Sequence, residues 1–195
     1  MFDIEKICSG ETHFSKRLIP YEQLAEVVNI LREKNKRIVL TQGVFDLIHE
    51  GHALYLEQAK KRGDILIVGV DSDELTRKRK GPGRPIVPQE ERLKMLVHLR
   101  HVDIVSIREA HHGIGDLIHL IKPDVLVTSK STKDFTNEMK DEYKNVCGEV
   151  VNLPPQGTTS TSARIRNLTI EGAVQLSEEI QKLTTSFINK IKGIE

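Results

Sequence analysis

A chain of 195 residues is long enough to bury the core of one domain without disulfide or metal staples. With 29 Lys plus Arg against 28 Asp plus Glu it has no global field to draw nucleic acid or an anionic membrane, and 4% aromatics without Trp leaves little for base stacking. Cys8 and Cys147 fit no C-x-x-C spacing and read as free thiols of a reducing compartment; the acidic start MFDIEKICSGETHF is unlike a secretory signal and no apolar run has membrane-spanning length, so a soluble, cytoplasmic protein is expected.

In chain order, Pro20 to Lys34 has Leu24, Val27, Val28 and Leu31 on one side, which predicts an amphipathic helix packed on the domain. Five apolar, β-branched runs follow: IVLTQ from Ile38, DILIVGVD from Asp64, DIVSI from Asp103, DVLVT from Asp124 and EVVNL from Glu149. Between them lie helical patterns, Ala53 to Arg62 and Glu90 to Arg100 among them. Alternating strand and helix predicts an α/β fold, a doubly wound, mostly parallel five-stranded Rossmann-like sheet. The unbroken apolarity of ILIVGV fits a strand covered on both faces. In such sheets ligands sit beyond the carboxyl ends of the strands.

After the last strand, TSARIRNL predicts a short helix, Glu171 and Gly172 an interruption, and Val174 to Ile191 a longer helix. Its stripe of Leu176, Ile180, Leu183, Phe187 and Ile191 suits docking on its own domain or on a second copy, which would make a homodimer. The expected divisions are an extension over 1–19, the main domain over 20–168 and a C-terminal helix over 169–195.

The stretch TQGVFDLIHEGH, residues 41–52, puts His49 and His52 between a strand's carboxyl end and a helix's amino end. Unsatisfied N–H groups and the helix dipole attract anions there, and two imidazoles add donors, so phosphate is the expected ligand. Gly43 and Gly51 would let a bulky group approach backbone closely. A zinc-protease reading fails on spacing: H-E-x-x-H needs histidines one helical turn apart, and HEGH is one residue short. Core packing and a plain solvated loop are the remaining alternatives.

The run RKRKGPGRP, Arg77 to Pro85, brings five cations, two glycines and two prolines to the same edge. By itself it suits a solvated charge run or a nucleic-acid patch; beside His49 it suits a mobile lid over phosphates. In GTTSTSARI, Ser160, Thr161 and Ser162 stand where they would cap the following helix, and a capped helix start is also an anion site. His111 and His112 fall on the ligand edge after the third strand and suggest a solvated loop first, a substrate contact second.

GVFDLIHEGH resembles the G-x-F-D-x-x-H-x-G-H signature (the HxGH motif) of the nucleotidylyltransferase superfamily, in its cytidylyltransferase-like branch. VGVDSDELTRKRKG is similar to the stretch of choline-phosphate and glycerol-3-phosphate cytidylyltransferases whose catalytic lysine maps to Lys80. GRPIVPQEERLKML, PDVLV and GEVVNLPPQGTTSTSARI resemble the adenylyltransferase half of ADP-heptose synthase. The resemblance implies transfer of AMP or CMP from ATP or CTP, carried with Mg²⁺, to a phosphorylated sugar or polyol, releasing pyrophosphate. It implies catalytic roles for His49, His52 and Lys80, nucleotide binding by Gly43, Val44, Phe45, Gly51, Arg92, Ser160, Thr161 and Ser162, and contact of Asp46 with the second substrate. For Arg92 a surface ion pair is the alternative. Cytidylyltransferases of this group have R-T-x-G before the S-T-S run, where this chain has Pro155, Gln156 and Gly157, so ATP is expected over CTP. TSKSTKD, Thr128 to Asp134, stands in place of the K-G-G-D-Y-like segment of heptose-phosphate enzymes, and Gln42 in place of an Asn. Lys130 and Lys133 are candidate acceptor-phosphate ligands. The alternative to an enzyme is a catalytically inactive nucleotide-binding regulatory protein on the same fold.

Overall fold

Each of the five apolar runs forms a strand. The computed structural model describes residue 6 and residues 14–130, 142–157 and 161–192. A short 3₁₀ turn, Tyr21–Gln23, leads into α1 (Leu24–Glu33), followed by β1 (Ile38–Gly43), α2 (Glu50–Lys60), β2 (Ile65–Asp71), α3 (Asp73–Lys80), α4 (Gln89–Val97), β3 (Ile104–Arg108), α5 (Asp116–Ile121), β4 (Val125–Ser129), β5 (Glu149–Leu153) and α6 (Thr161–Lys192). Contacts divide the chain into two compact units, Met1–Thr158 and Thr159–Glu195.

In the first unit the strands pair in parallel in the order β3-β2-β1-β4-β5. Chain progression reverses direction between β1 and β4, so the loop after β1 opens at the switch point where open α/β sheets bind ligands. Successive strand residues serve opposite faces. Ile38, Leu40, Ile65 and Ile67 pack with Leu24, Val27, Val28 and Leu31 of α1 and Leu117, Ile118 and Ile121 of α5. Val39, Leu66, Val68 and Val70 pack with Leu56 and Ala59 of α2 and Leu93, Leu96 and Val97 of α4. Burial on both faces explains why β2 is apolar from Ile65 to Val70. The β3 edge is covered by the chain's own start: Leu18 bridges Val105, and the Ile19 N–H donates to the Val105 carbonyl at 2.9 Å. That pairing blunts an edge otherwise open to aggregation. Cys147 is a buried free thiol whose pKa burial pushes up to about 11; Cys8 lies outside the described residues.

Three elements differ from the sequence-based expectation. The basic run expected as a lid is helical in its first half, because Ser72 caps α3 by accepting from the Leu75 N–H at 3.1 Å. Asp73 and Glu74 then sit in its first turn and Arg77, Lys78, Arg79 and Lys80 in its last, as the helix dipole favours. Helix α2 begins at Glu50 rather than Ala53, since His49 itself is the cap. In the second unit, α6 runs unbroken from Thr161 to Lys192 through the expected interruption at Glu171 and Gly172. A lone glycine costs a helix about 1 kcal/mol, too little to break one of this length.

Candidate active site

The loop between β1 and α2 is strained and heavily anchored. Phe45 has φ 52° and Leu47 φ 46°, left-handed values that cost bulky side chains about 1–2 kcal/mol each. Buried neighbours hold the loop there. Asp46, 2% exposed, accepts from Arg84 Nε at 3.0 Å, the Ile86 N–H at 3.0 Å and the Val87 N–H at 2.9 Å. Arg92, 1% exposed, donates from Nη1 to the Val44 carbonyl, from Nε to the Val87 carbonyl and from Nη2 to Asp73 at 2.7 Å. Three non-adjacent segments, 44–46, 73 and 84–92, are thereby tied together.

That frame presents the histidine pair. His49 caps α2 in an extended conformation, and its Nδ1 accepts from the Gly51 N–H at 3.1 Å. In return His52 Nδ1 accepts from the His49 N–H at 3.4 Å, a reciprocal capping box in which histidines do the work usual for Ser and Glu. An imidazole that accepts at Nδ1 carries its proton on Nε2. Both rings, with centroids 4.1 Å apart, are therefore set as Nε2–H donors at the amino end of a helix. Burial pushes the His52 pKa down to about 4, helped by His49 and Lys80 and opposed by Asp46, so His52 is neutral at pH 7. Gly51 is required sterically: a Cβ there would lie 2.9 Å from His49 Cε1 and 3.2 Å from Gly157 Cα. Gly157 thus brings the end of the β5 segment against the histidine turn.

Tyr55, one turn beyond His52, escaped sequence reasoning. Its hydroxyl lies 2.7 Å from Thr41 Oγ1 and donates to the Val127 carbonyl at 3.1 Å, so it joins β1 to β4 beneath the switch point. A single tyrosine in a helical pattern gives no sign of this, because the two strands it joins are 86 positions apart in sequence.

The candidates fall into groups. His49, Gly51 and His52 share the α2 start, Gly43 ends β1, and Lys80 ends α3 close enough for its charge to bear on His52. Val44, Phe45, Asp46 and Arg92 are buried, and Arg92 spends its guanidinium on the frame rather than on a surface ion pair. Ser160 lies outside the described residues, as do the side chains of Thr161 and Ser162, and Lys133. His112 stacks on Tyr21 with centroids 3.9 Å apart and His111 packs edge-on at 4.2 Å, while Gln42 Nε2 donates to the Ile114 carbonyl in that same loop. Among the described residues no helix is long and apolar enough to cross a membrane.

The chain is similar to known proteins. The pattern of the cytidylyltransferase-like family matches residues 40–186. The chain is 35% identical over 155 residues to the bifunctional protein HldE of Desulfatibacillum aliphaticivorans, covering 80% of this chain and 32% of that one. It is 34% identical over 191 residues to the same-named protein of Campylobacter fetus, covering 98% of this chain and 35% of that one. The chain therefore spans about a third of the length of the curated relatives it matches. Among solved structures, a lipopolysaccharide core biosynthesis protein from Thermoplasma volcanium aligns with TM-score 0.54 and 28% identity over 60% of this chain and 96% of that one. A pantoate-β-alanine ligase from Francisella tularensis aligns with TM-score 0.55 over 77% of this chain and 73% of that one, at 15% identity, a likeness of fold.

Proposed function

The chain belongs to the cytidylyltransferase-like family, and on that premise we propose that it transfers a nucleotidyl group, AMP in preference to CMP, from a nucleoside triphosphate to a phosphorylated sugar or polyol, releasing pyrophosphate. The observation that carries the reading is the reciprocal cap of His49 and His52, which sets two imidazoles as Nε2–H donors at a helix start. A phosphomonoester is already anionic near neutral pH, so no general base is needed to make the nucleophile. The work is to bring two polyanions into line and to stabilise charge on the departing pyrophosphate. Phosphate oxygen attacks the α-phosphorus, the bond to the β-phosphate oxygen breaks, and that oxygen's charge is met by His49, His52, Lys80 and the positive end of the α2 dipole.

Magnesium enters on the triphosphate, as part of the substrate. Asp46 gives it no ready ligand, since both its carboxylate oxygens accept from residues 84–87. Ser160, Thr161 and Ser162 are proposed as triphosphate ligands on the sequence resemblance alone. Preference for AMP rests on resemblance to the adenylyltransferase half of ADP-heptose synthase and on Pro155, Gln156 and Gly157 in place of R-T-x-G. A phosphorylated sugar is supported by the bacterial and archaeal relatives, one of them named for lipopolysaccharide core biosynthesis.

The test is pyrophosphate release with ATP or CTP against a panel of sugar and polyol phosphates. Acceptor-dependent release faster with ATP, lowered about 10²- to 10³-fold in His52→Ala, is expected. Tight nucleotide binding with no pyrophosphate from any acceptor would return the inactive regulator.

A further inference from the structure

Lys80 is the last residue of α3, and Gly81, at φ 97°, turns the chain directly after it. Where its ammonium stands is therefore decided by how α3 is moored. The first turn is held by the Ser72 cap, by Gln89, which accepts from the Asp73 N–H at 2.8 Å, and by Arg92 on Asp73. Mooring at that end leaves the far end of a short helix free to swing. The last turn is held by Arg79, which pairs with Asp71 at the end of β2; Asp71 in turn receives Arg108 Nη1 of β3 at 2.8 Å. Asp71 and Arg108 are register partners in the sheet, their side chains 0% and 1% exposed, and the Arg79 side chain is 20% exposed.

A buried charge cluster of this kind yields little net stability, because desolvation offsets most of the attraction and an apolar trio of equal volume commonly does as well. What it supplies is direction. Guanidinium and carboxylate meet in a fixed planar geometry, and the base of this cluster cannot move without moving two strands. Arg79 and Lys80 are adjacent, so fixing one fixes the backbone that carries the other.

We propose that Arg79, held by Asp71 and Arg108, is a positioning residue that sets Lys80 against the His49–His52 pair. The inference rests on the proposed role of Lys80 at the phosphates and adds what puts it there. Lys80 is among the charges that bear on His52, with His49 and Asp46, so a His52 titration in Arg79→Gln that moves toward that of Lys80→Ala, and returns in the charge-keeping Arg79→Lys, reports the movement of Lys80.

The experiment uses the full chain with Arg79→Gln, Arg79→Lys and Lys80→Ala. In Arg79→Gln, kcat for pyrophosphate release should fall about 10- to 100-fold with KM for the triphosphate changed less, as expected for a misplaced group. The His52 pKa, followed by NMR, should rise, while Tm stays near that of wild type. Arg79→Lys, which keeps a cation within reach of Asp71, should recover part of both. Unaltered kcat and unaltered His52 titration in Arg79→Gln overturn the proposal. So does a fall in kcat that only tracks lost folded protein, with His52 titrating as before. Wild-type turnover in Lys80→Ala refutes the role of Lys80 itself, whereas loss there with none in Arg79→Gln refutes only the positioning.

Discussion

Acidification should weaken this fold, and the His52 imidazole carries a large part of the effect. The His52 pKa is 6.5 in an unfolded chain and about 4 in the native one, chiefly because burial disfavours the charged ring. Above about pH 6.5 the ring is neutral in both states and contributes no pH dependence. Between 6.5 and 4 the unfolded chain binds a proton that the native one refuses, so stability is lost as pH falls through that window and levels off below it. At about 1.4 kcal/mol for each pH unit the ceiling is about 3 kcal/mol, and partial exposure of the ring reduces this to ~2 kcal/mol. That is a large share of the 5–15 kcal/mol typical of a domain. The assay is urea unfolding of wild type and His52→Asn at several pH values from 4.5 to 7.5. Asparagine does not titrate, and its carboxamide oxygen still accepts from the His49 N–H. The difference between the two proteins should grow by about 2 kcal/mol in favour of the variant as pH falls. Parallel curves would refute the claim that His52 is held neutral by its surroundings.

Three other substitutions probe the frame. Gly51→Ala drives a methyl group to 2.9 Å from the His49 ring and should break the cap, costing about 1–2 kcal/mol in thermal or urea melts together with a loss of triphosphate affinity. Asp46→Asn removes the charge that three donors of residues 84–87 share; about 2–3 kcal/mol of stability should go, and hydrogen exchange at Ile86 and Val87 should accelerate. Unchanged exchange there would mean the loop is held by something else. Tyr55→Phe leaves the Val127 carbonyl without its hydroxyl partner and should cost about 1 kcal/mol, with turnover lowered less than in His52→Ala.

The strands and most helices were legible because their signals are local. ILIVGVD is apolar at every position but its last, and that alone implies a strand covered on both sides. The histidine pair was legible for a similar reason: a glycine turn between a strand and a helix places side chains at an anion-binding end whatever the rest of the chain does. The interruption expected at Glu171 and Gly172 does not occur, because helix formation sums over many residues and outweighs one glycine.

By itself, then, the order of residues determined the α/β class, the carboxyl edge of the sheet at which the first crossover opens and the two imidazoles that stand there, since each follows from spacing within a dozen positions. Only the tertiary structure decided the protonated nitrogen of each ring, the burial that keeps His52 neutral, and the ties from Asp46 to residues 84–87, from Arg92 to Val44 and from Asp71 to Arg79 and Arg108. Those depend on which strands lie side by side and in what register. Hydrogen bonds and desolvation act through distances in space, and residues 37 or 48 apart in the chain meet only once the sheet has formed.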